Sequence, residues 1–179
     1  MFLSTASSML SLIERRDHLV MRRVHRWLAP RWVRYWMVWA TRGGDGWLWF
    51  ALASALIVLG GEPGRKAAAE AAPPGLLGVA LFMILKRLTG RKRPCHLEPH
   101  CWSTLLPPDQ FSFPSGHTIT AFAVTIPVGG HFPDAMPALA FCSLSIAVSR
   151  VLLGMHFMSD VLAGALIGGG LGWMMYGLF

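Results

Sequence analysis

The chain has 179 residues, of which 54% are hydrophobic and 14% are charged, and its formal net charge is +7 at pH 7. Soluble domains carry about a quarter charged residues, so the composition excludes an ordinary soluble fold and predicts a small membrane protein with several spans. The excess of basic residues favours an anionic lipid surface as a partner. Nucleic acid is disfavoured because the sequence shows no soluble basic domain.

The first predicted element is a basic amphipathic interfacial arm over residues 1–44. Its arginines alternate with tryptophans and aliphatic residues at helical spacing, which is typical of helices that lie in the membrane interface. The density of positive charge excludes a spanning helix, and Pro30 predicts a break between two helical pieces. A partly disordered basic tail is the alternative. The first apolar patch is short and lacks a small-residue cleavage site, so we expect no signal peptide.

Residues 45–179 are predicted to form one membrane-embedded domain. Residues 65–74, which end in Pro73 and Pro74, form a polar connector in this interpretation. The predicted fold class is an all-α, polytopic membrane helical bundle with about five spanning helices plus the interfacial N-terminal arm. The five apolar runs lie at 46–60, 75–88, 117–132, 135–153 and 157–179.

The last apolar run carries a stripe of glycines, Gly164, Gly168 and Gly172. A four-residue spacing of glycines lets two helices approach closely. We therefore interpret the stripe as a packing surface rather than as a ligand site.

The longest polar loop covers residues 89–114 and contains Cys95 and Cys101. Their spacing suits a small disulfide loop on an oxidising face, and two free thiols are the alternative. Two cysteines alone make a poor metal site, so we expect no metal site in this loop.

The turn between the last two apolar runs carries Arg150, His156 and Asp160. His156 and Asp160 are four residues apart and share one helix face, so we expect Asp160 to hold one ring nitrogen of His156. The other nitrogen would then present a lone pair to the cleft, as in a catalytic dyad. Arg150 adds a planar charge that suits phosphate oxygens. The alternative is that these residues only close a helical hairpin.

A helix start is predicted at Pro114-Ser115-Gly116-His117. Serine is a good N-cap and Gly116 permits close approach to the backbone, so the first amides of this helix are expected to point at an anion. An ordinary helix cap explains the tetrapeptide as well.

Because the runs alternate in direction, these residues share one membrane face with Lys86, Arg93, Arg150 and His156. Cations, histidines and a carboxylate in one cleft favour phosphate chemistry.

Three motifs are complete and in order in this sequence. They are Lys86-x6-Arg93-Pro94, Pro114-Ser115-Gly116-His117 and Ser149-Arg150-x5-His156-x3-Asp160. Over about residues 45–175 the chain therefore resembles the type 2 phosphatidic-acid phosphatase family.

The resemblance implies a role for each motif residue. His156 would be the nucleophile that forms a phosphohistidine, and Asp160 would orient it. His117 would be the general acid that protonates the leaving oxygen and then activates water. No metal and no other cofactor is implied. The phosphoryl oxygens would be held by Lys86, Arg93, Ser115, Gly116 and Arg150.

The expected function is metal-independent dephosphorylation of a membrane lipid phosphate or diphosphate. Polyprenyl diphosphate is favoured among candidates that include phosphatidylglycerol phosphate, phosphatidic acid and lipid A phosphate. A lipid phosphotransferase would use the same residues, and a non-enzymatic lipid-binding or transport protein is a further alternative. A vanadium haloperoxidase shares the motifs, but those enzymes are soluble and larger.

The membrane side of the site is predicted differently by two arguments. The arginine-rich arm and the positive-inside rule place the site in the cytoplasm. The family resemblance implies the extracytoplasmic face, and an oxidised Cys95–Cys101 pair would agree with it. We expect an integral protein of the bacterial inner membrane with an extracytoplasmic site. The sequence does not predict the oligomeric state.

Overall fold

The computed structural model of the chain describes residues 2–97 and 109–177, with side chains from residue 11 onward. Apart from one isolated antiparallel bridge between Lys92 and Phe111, the regular structure in these ranges is helical, which confirms the predicted all-α class. A 3-10 turn at Pro133–Ala135 precedes α7. The helices are α1 Phe2–Arg26, α2 Arg31–Gly44, α3 Trp47–Leu59, α4 Gly61–Thr89, α5 Pro94–Leu97, α6 Gly116–His131, α7 Met136–Leu152 and α8 Met158–Met175.

Within the described residues, three stretches are long and apolar enough to cross a membrane, namely Gly61–Thr89, Pro133–Leu152 and Met158–Met175. Helix α3 has 13 residues and α6 has 16, so they extend about 20 Å and about 24 Å at 1.5 Å per residue. Near its start α3 packs Trp49 on α6, and towards its end Leu56 packs beside the far half of α6. Both helices therefore run through the bundle, and the architecture is consistent with the five predicted spans.

The predicted connector at 65–74 is wrong, because α4 is one continuous helix of 29 residues that contains Pro73 and Pro74. A proline inside a helix removes a backbone hydrogen bond and usually bends or breaks it. Here Pro74 is buried and α4 packs closely against α6 and α8. Tertiary packing outweighs the local cost, as it does for most helices in proteins. The last turn of this long helix carries Lys86 to the site.

The glycine stripe of α8 is a packing surface, as predicted. A Cβ at Gly164 would lie 2.9 Å from the carbonyl oxygen of Ser115, and one at Gly172 would lie 2.8 Å from that of Ala123. A Cβ at Gly168 would meet the backbone of Ile119. Only glycine allows the two helices to lie this close. The contact brings the start of α6 next to the start of α8.

The N-terminal arm forms two helices, and α2 begins directly after Pro30, as predicted. Helix α1 packs Met21 against Phe157, and α2 packs Met37 in a cluster with Leu153 and Met155. Both helices therefore lie where α7 ends and α8 begins. A division of the chain into two domains at residue 44 stays a prediction. The exposed arginines of the arm are Arg15, Arg16, Arg22, Arg23, Arg26, Arg31, Arg34 and Arg42.

Candidate active site

His156 lies in the turn between α7 and α8 and is only 1% exposed. Its Nδ1 is 2.5 Å from the backbone oxygen of Ser112, and its Nε2 is 3.1 Å from Nη1 of Arg93. A carbonyl oxygen only accepts hydrogen bonds, so the network assigns the proton to Nδ1 and the lone pair to Nε2. Burial lowers the pKa of His156 well below its usual value, and the charges of Arg150 and Arg93 lower it further. The ring is therefore neutral, with a nucleophilic Nε2.

Asp160 does not form the expected hydrogen bond with His156, because its Oδ2 is 3.7 Å from Nδ1 of the ring. Its carboxylate accepts hydrogen bonds from the backbone N–H of Phe157 at 2.8 Å and from Nη1 of Arg91 at 2.5 Å. The first contact closes the first turn of α8, where a carboxylate is favoured. Asp160 thus fixes the backbone after His156, and the Ser112 carbonyl orients the ring.

Asp17 of α1 ties the arm to this part of the site. It is 4% exposed and accepts hydrogen bonds from Nη2 of Arg91 at 2.6 Å and from the backbone N–H of Ser159 at 3.0 Å. Arg91 therefore bridges Asp17 and Asp160. This bridge could not be predicted from the sequence, because the three residues lie in three separate segments.

The three predicted cations lie together at this end of the bundle and are buried. Lys86 lies in the last turn of α4, Arg93 follows that helix, and Arg150 lies in the last turn of α7. Arg93 donates from Nη1 to the backbone oxygen of Met155 at 3.0 Å, which holds the guanidinium beside His156. Among the described residues, Nε of Arg150 has no hydrogen-bond acceptor. Buried guanidinium nitrogens normally have one, so this group is suited to an anionic ligand.

Asp109 is a site residue that the sequence analysis did not select. Its Oδ2 is 2.8 Å from Nζ of Lys86, and its Oδ1 is 3.0 Å from Nη2 of Arg93. Burial alone would raise the pKa of Asp109, but the hydrogen bond from Lys86 and the charge of Arg93 outweigh burial and lower it. The residue is therefore an anion that balances two of the cations.

The predicted helix start lies at Ser115 and Gly116, although the serine hydroxyl makes no capping hydrogen bond. Instead Oγ of Ser115 accepts from Oγ1 of Thr118 at 2.9 Å, and its backbone N–H donates to the backbone oxygen of Asp160 at 3.1 Å. A Cβ on Gly116 would lie 2.9 Å from the ring of Phe82, so this position requires glycine. The start of α6 is thereby fixed against both α4 and α8.

His117 and Arg150 are both held by residues 41–46, which comprise the last residues of α2 and the link to α3 and which we call the α2–α3 turn. Nε2 of His117 is 2.7 Å from Oδ1 of Asp45, and Nη1 of Arg150 donates to Oγ1 of Thr41 at 2.5 Å. All the residues selected from the sequence thus lie at one end of the bundle. The partners in this turn were missed, because the turn is more than 70 residues away from His117 along the chain.

An apolar groove begins at this site and runs between α3, α4 and α6. Its volume is about 520 Å³. Gly116 and His117 line one end, and Leu56, Ala68 and Val128 line the part towards the other end of the bundle. The distance from Ala68 to Phe82 along α4 is about 21 Å, so the groove has the length of a hydrocarbon chain.

Two predictions from the sequence concern the polar loop, namely the Cys95–Cys101 disulfide and the absence of a metal site. Cys101 lies outside the described residues, so the Cys95–Cys101 disulfide stays a prediction. Within residues 2–97 and 109–177, no three His, Cys, Asp or Glu side chains are grouped so that they could hold a metal ion. Metal independence of the reaction stays a prediction.

Comparison with known proteins places the chain in a family. A model of the PAP2 superfamily matches residues 75–179. A lipid A 1-phosphatase of Rhizobium etli is 30% identical over 141 residues, which cover 68% of this chain and 61% of that protein. A decaprenylphosphoryl-5-phosphoribose phosphatase of Mycobacterium tuberculosis is 33% identical over 128 residues, which cover 71% and 68%. This chain thus matches less than two thirds of the first relative's length.

Two crystal structures share the fold. A PAP2-type phosphatidylglycerolphosphate phosphatase from Bacillus subtilis has a TM-score of 0.72 at 21% identity, over 98% of this chain and 90% of that one. Aquifex aeolicus LpxE has a TM-score of 0.67 at 25% identity, over 87% and 91%. The apolar helices and the transmembrane relative make this chain an integral membrane protein. From the family match, together with the relatives and the fold, it follows that the chain belongs to the PAP2 superfamily, which confirms the resemblance to the type 2 phosphatidic-acid phosphatases.

Proposed function

We propose that this chain is a metal-independent phosphatase that removes a phosphoryl group from a membrane lipid phosphate or diphosphate. One observation carries the proposal: the end of the bundle that holds the cations and His156 opens at Gly116 and His117 into an apolar groove. A lipid phosphate combines an anionic head with a hydrocarbon chain in the same way. The names of the relatives, which are phosphatases of lipid phosphates, support the proposal.

In the proposed reaction, Nε2 of His156 attacks phosphorus, so that a nitrogen–phosphorus bond forms while the bond from phosphorus to the lipid oxygen breaks. His117 gives a proton to the departing oxygen. In the second step His117 takes a proton from water, whose oxygen attacks phosphorus. The bond from phosphorus to Nε2 of His156 breaks in this step, which releases inorganic phosphate and returns His156 to its neutral form.

The cations have the electrostatic role in this proposal. Lys86, Arg93 and Arg150 would neutralise the phosphoryl oxygens as charge shifts between them in the transition state. The amide of Gly116 and the hydroxyl of Ser115 would add neutral donors at the start of α6. Asp160 would act through the backbone of the turn, since it makes no hydrogen bond with the ring.

The substrate is proposed as a class. Polyprenyl diphosphate, phosphatidylglycerol phosphate, phosphatidic acid and lipid A phosphate are the candidates. Polyprenyl diphosphate is placed first because the described part of the chain contains no separate soluble domain for a large head group. A panel of these lipids, compared by kcat/KM in one detergent, ranks them.

The test of the function is phosphate release by the purified protein. Inorganic phosphate should appear from at least one lipid phosphate, with EDTA present, and His156→Ala should serve as the inactive control. Transfer of the phosphoryl group to a second lipid would instead identify a phosphotransferase. Binding of lipid phosphate without turnover would exclude both enzymes, and loss of activity in EDTA that magnesium restores would contradict metal independence.

We propose that the protein lies in the bacterial inner membrane with its site on the extracytoplasmic face. The test is labelling of intact cells with an impermeant thiol reagent after Cys95, Cys101 and Cys142 have been replaced by serine. Arg87→Cys would report on the site end and Asp134→Cys on the opposite end, since both side chains are exposed. Labelling of the first variant alone supports the proposal, and labelling of the second alone places the site in the cytoplasm.

A further inference from the structure

The α2–α3 turn, residues 41–46, is shaped to lie against His117. A Cβ on Gly44 would be 2.8 Å from Cδ2 of His117 and 2.9 Å from Cγ2 of Ile146, so the backbone can approach the ring only because this residue is glycine. Gly46 has a φ of 119°, which side-chain-bearing residues rarely adopt. The two glycines bring the intervening Asp45 to the edge of the imidazole.

The contact between Asp45 and His117 determines the tautomer of the ring. Oδ1 of Asp45 is 2.7 Å from Nε2 of His117. The hydrogen bond with His117 lowers the pKa of Asp45 more than burial raises it, so the side chain is a carboxylate and accepts only. The shared proton is therefore on Nε2. Nδ1 of His117 is then the nitrogen that can exchange a proton with a substrate.

The same turn also contacts a second site residue. Oγ1 of Thr41 accepts a hydrogen bond from Nη1 of Arg150 at 2.5 Å, and Thr41 is only 2% exposed. Two residues four positions apart thus hold a histidine and an arginine that come from two different motifs. The turn lies before residue 75, so it is outside the part of the chain that the family model matches.

We infer that the α2–α3 turn is a fourth segment of the active site and that Asp45 is the positioning residue of His117. Asp45 keeps the proton on Nε2, stabilises the imidazolium form and leaves Nδ1 to act on the substrate, as a carboxylate does for the histidine of a catalytic triad. The inference rests on the proposed function.

The proton balance of the two steps follows from this assignment. When the bond from phosphorus to the lipid oxygen breaks, the proton on Nδ1 of His117 moves to that oxygen and His117 becomes neutral. When water attacks the phosphohistidine, its proton moves to Nδ1 and His117 is charged again. Asp45 keeps its hydrogen bond to Nε2 and stays ionised in both steps.

The test compares Asp45→Asn with the wild-type chain on a lipid phosphate and on p-nitrophenyl phosphate. Asparagine keeps the size and an acceptor but removes the charge. Because a general acid contributes about 10²- to 10⁴-fold, we expect about a 100-fold loss of kcat on the lipid, whose alkoxide leaves poorly, and less than a fivefold loss on the aryl phosphate. Asp45→Glu should recover part of the lipid activity. Glu62→Gln is the matched control, since Glu62 is exposed and pairs with Arg65 away from the site.

The pH profile supplies a readout that a purely structural role would not change. The charged groups that face His117 are Asp45, Arg150 of α7 and Lys86 of α4. Without the carboxylate the protonated ring is less stable, so the alkaline limb of kcat/KM on the lipid should move about one pH unit lower in Asp45→Asn. Vanadate should still inhibit this variant, which shows that the phosphate site is intact.

Equal losses on both substrates, or an alkaline limb that does not move, would overturn the inference. If Asp45→Asn cannot be purified in folded form, Asp45→Ser takes its place with the same expectations. A wild-type chain without any phosphatase activity would contradict the proposed function. An active wild-type chain whose Asp45→Asn variant matches it on the lipid would contradict only the role of Asp45.

Discussion

Oδ2 of Asp109 lies 2.8 Å from Nζ of Lys86, and the same carboxylate contacts Arg93 through Oδ1 at 3.0 Å. A carboxylate and a phosphoryl group present similar oxygens to a cation, so Asp109 occupies hydrogen-bonding positions that a phosphate would also use. In the proposed function the incoming phosphoryl group must share or displace this side chain. We therefore expect Asp109 to weaken the binding of anions to this site.

Replacement of Asp109 by Asn should strengthen anion binding. Removal of one negative charge beside two cations is expected to lower the inhibition constant of vanadate about tenfold, which is a gain of about 1.4 kcal/mol. The measurement is competition by vanadate against p-nitrophenyl phosphate at pH 7. Asp134→Asn, an exposed acid at the far end of the bundle, is the control. An unchanged or weaker inhibition in Asp109→Asn would show that Asp109 helps to build the anion site.

Replacement of His156 by Ala should remove activity on every substrate, because no other described side chain is placed to attack phosphorus. The variant should also lose the acid-labile phosphoryl label that a phosphohistidine would carry. The measurements are phosphate release and trapping of labelled protein after rapid mixing. Activity within tenfold of that of the wild-type chain would contradict the assignment of His156 as the nucleophile.

We expect the ion pair between Arg91 and Asp160 to stabilise the folded chain. Asp160 is fully buried, and loss of one partner of a buried pair costs about 3–5 kcal/mol. We expect Asp160→Asn and Arg91→Met each to lower the unfolding temperature clearly. The double variant should lose less than the sum of the two losses, because the single losses share one contact.

The control for this pair is the exposed one between Glu62 and Arg65, for which Glu62→Gln should have no measurable effect on unfolding. If Asp160→Asn leaves the unfolding temperature unchanged but abolishes turnover, the direct orienting role expected from the sequence would be the better explanation.

Because His156 is buried, we expect the folded chain to lose stability in mild acid. Its pKa in the folded chain lies well below the unfolded value of about 6.5, so the unfolded chain binds the additional proton first as the pH falls. The stabilising contribution is therefore complete above about pH 6.5 and decreases below it. Asp45 and Asp109 have lowered pKa values, so their contributions are lost only in stronger acid.

Unfolding temperatures between pH 7.5 and pH 5 provide the measurement for this effect. His156→Asn should flatten the dependence in this window, because asparagine does not titrate. A variant whose curve runs parallel to that of the wild-type chain would mean that other groups cause the acid loss.

The sequence predicted the parts of this molecule that depend on residue type and periodicity. Apolar runs identified the spans, and the polar residues at the ends of these runs pointed to the cations and both histidines, which the structure brings to one end of the bundle. The prediction from sequence was wrong where tertiary contacts outweigh local helix propensity, as at Pro73 and Pro74 inside α4. It also missed the carbonyl of Ser112, since a backbone oxygen has no residue-type signal. Asp45 was missed because only folding brings it to His117.

The last prediction separates the two histidines by their leaving groups. An alkoxide of a lipid departs poorly without a proton, whereas p-nitrophenolate departs with little help. If His117 supplies that proton, His117→Ala should lose about 100-fold or more on the lipid phosphate and much less on the aryl phosphate. His156→Ala should lose activity on both, because the covalent step is common to them. The comparison needs both variants on both substrates in one detergent, with vanadate inhibition as the check that the phosphate site of His117→Ala is intact. Equal losses for His117→Ala on the two substrates would mean that it does not act on the leaving oxygen, or that a later step, such as attack by water, limits both reactions.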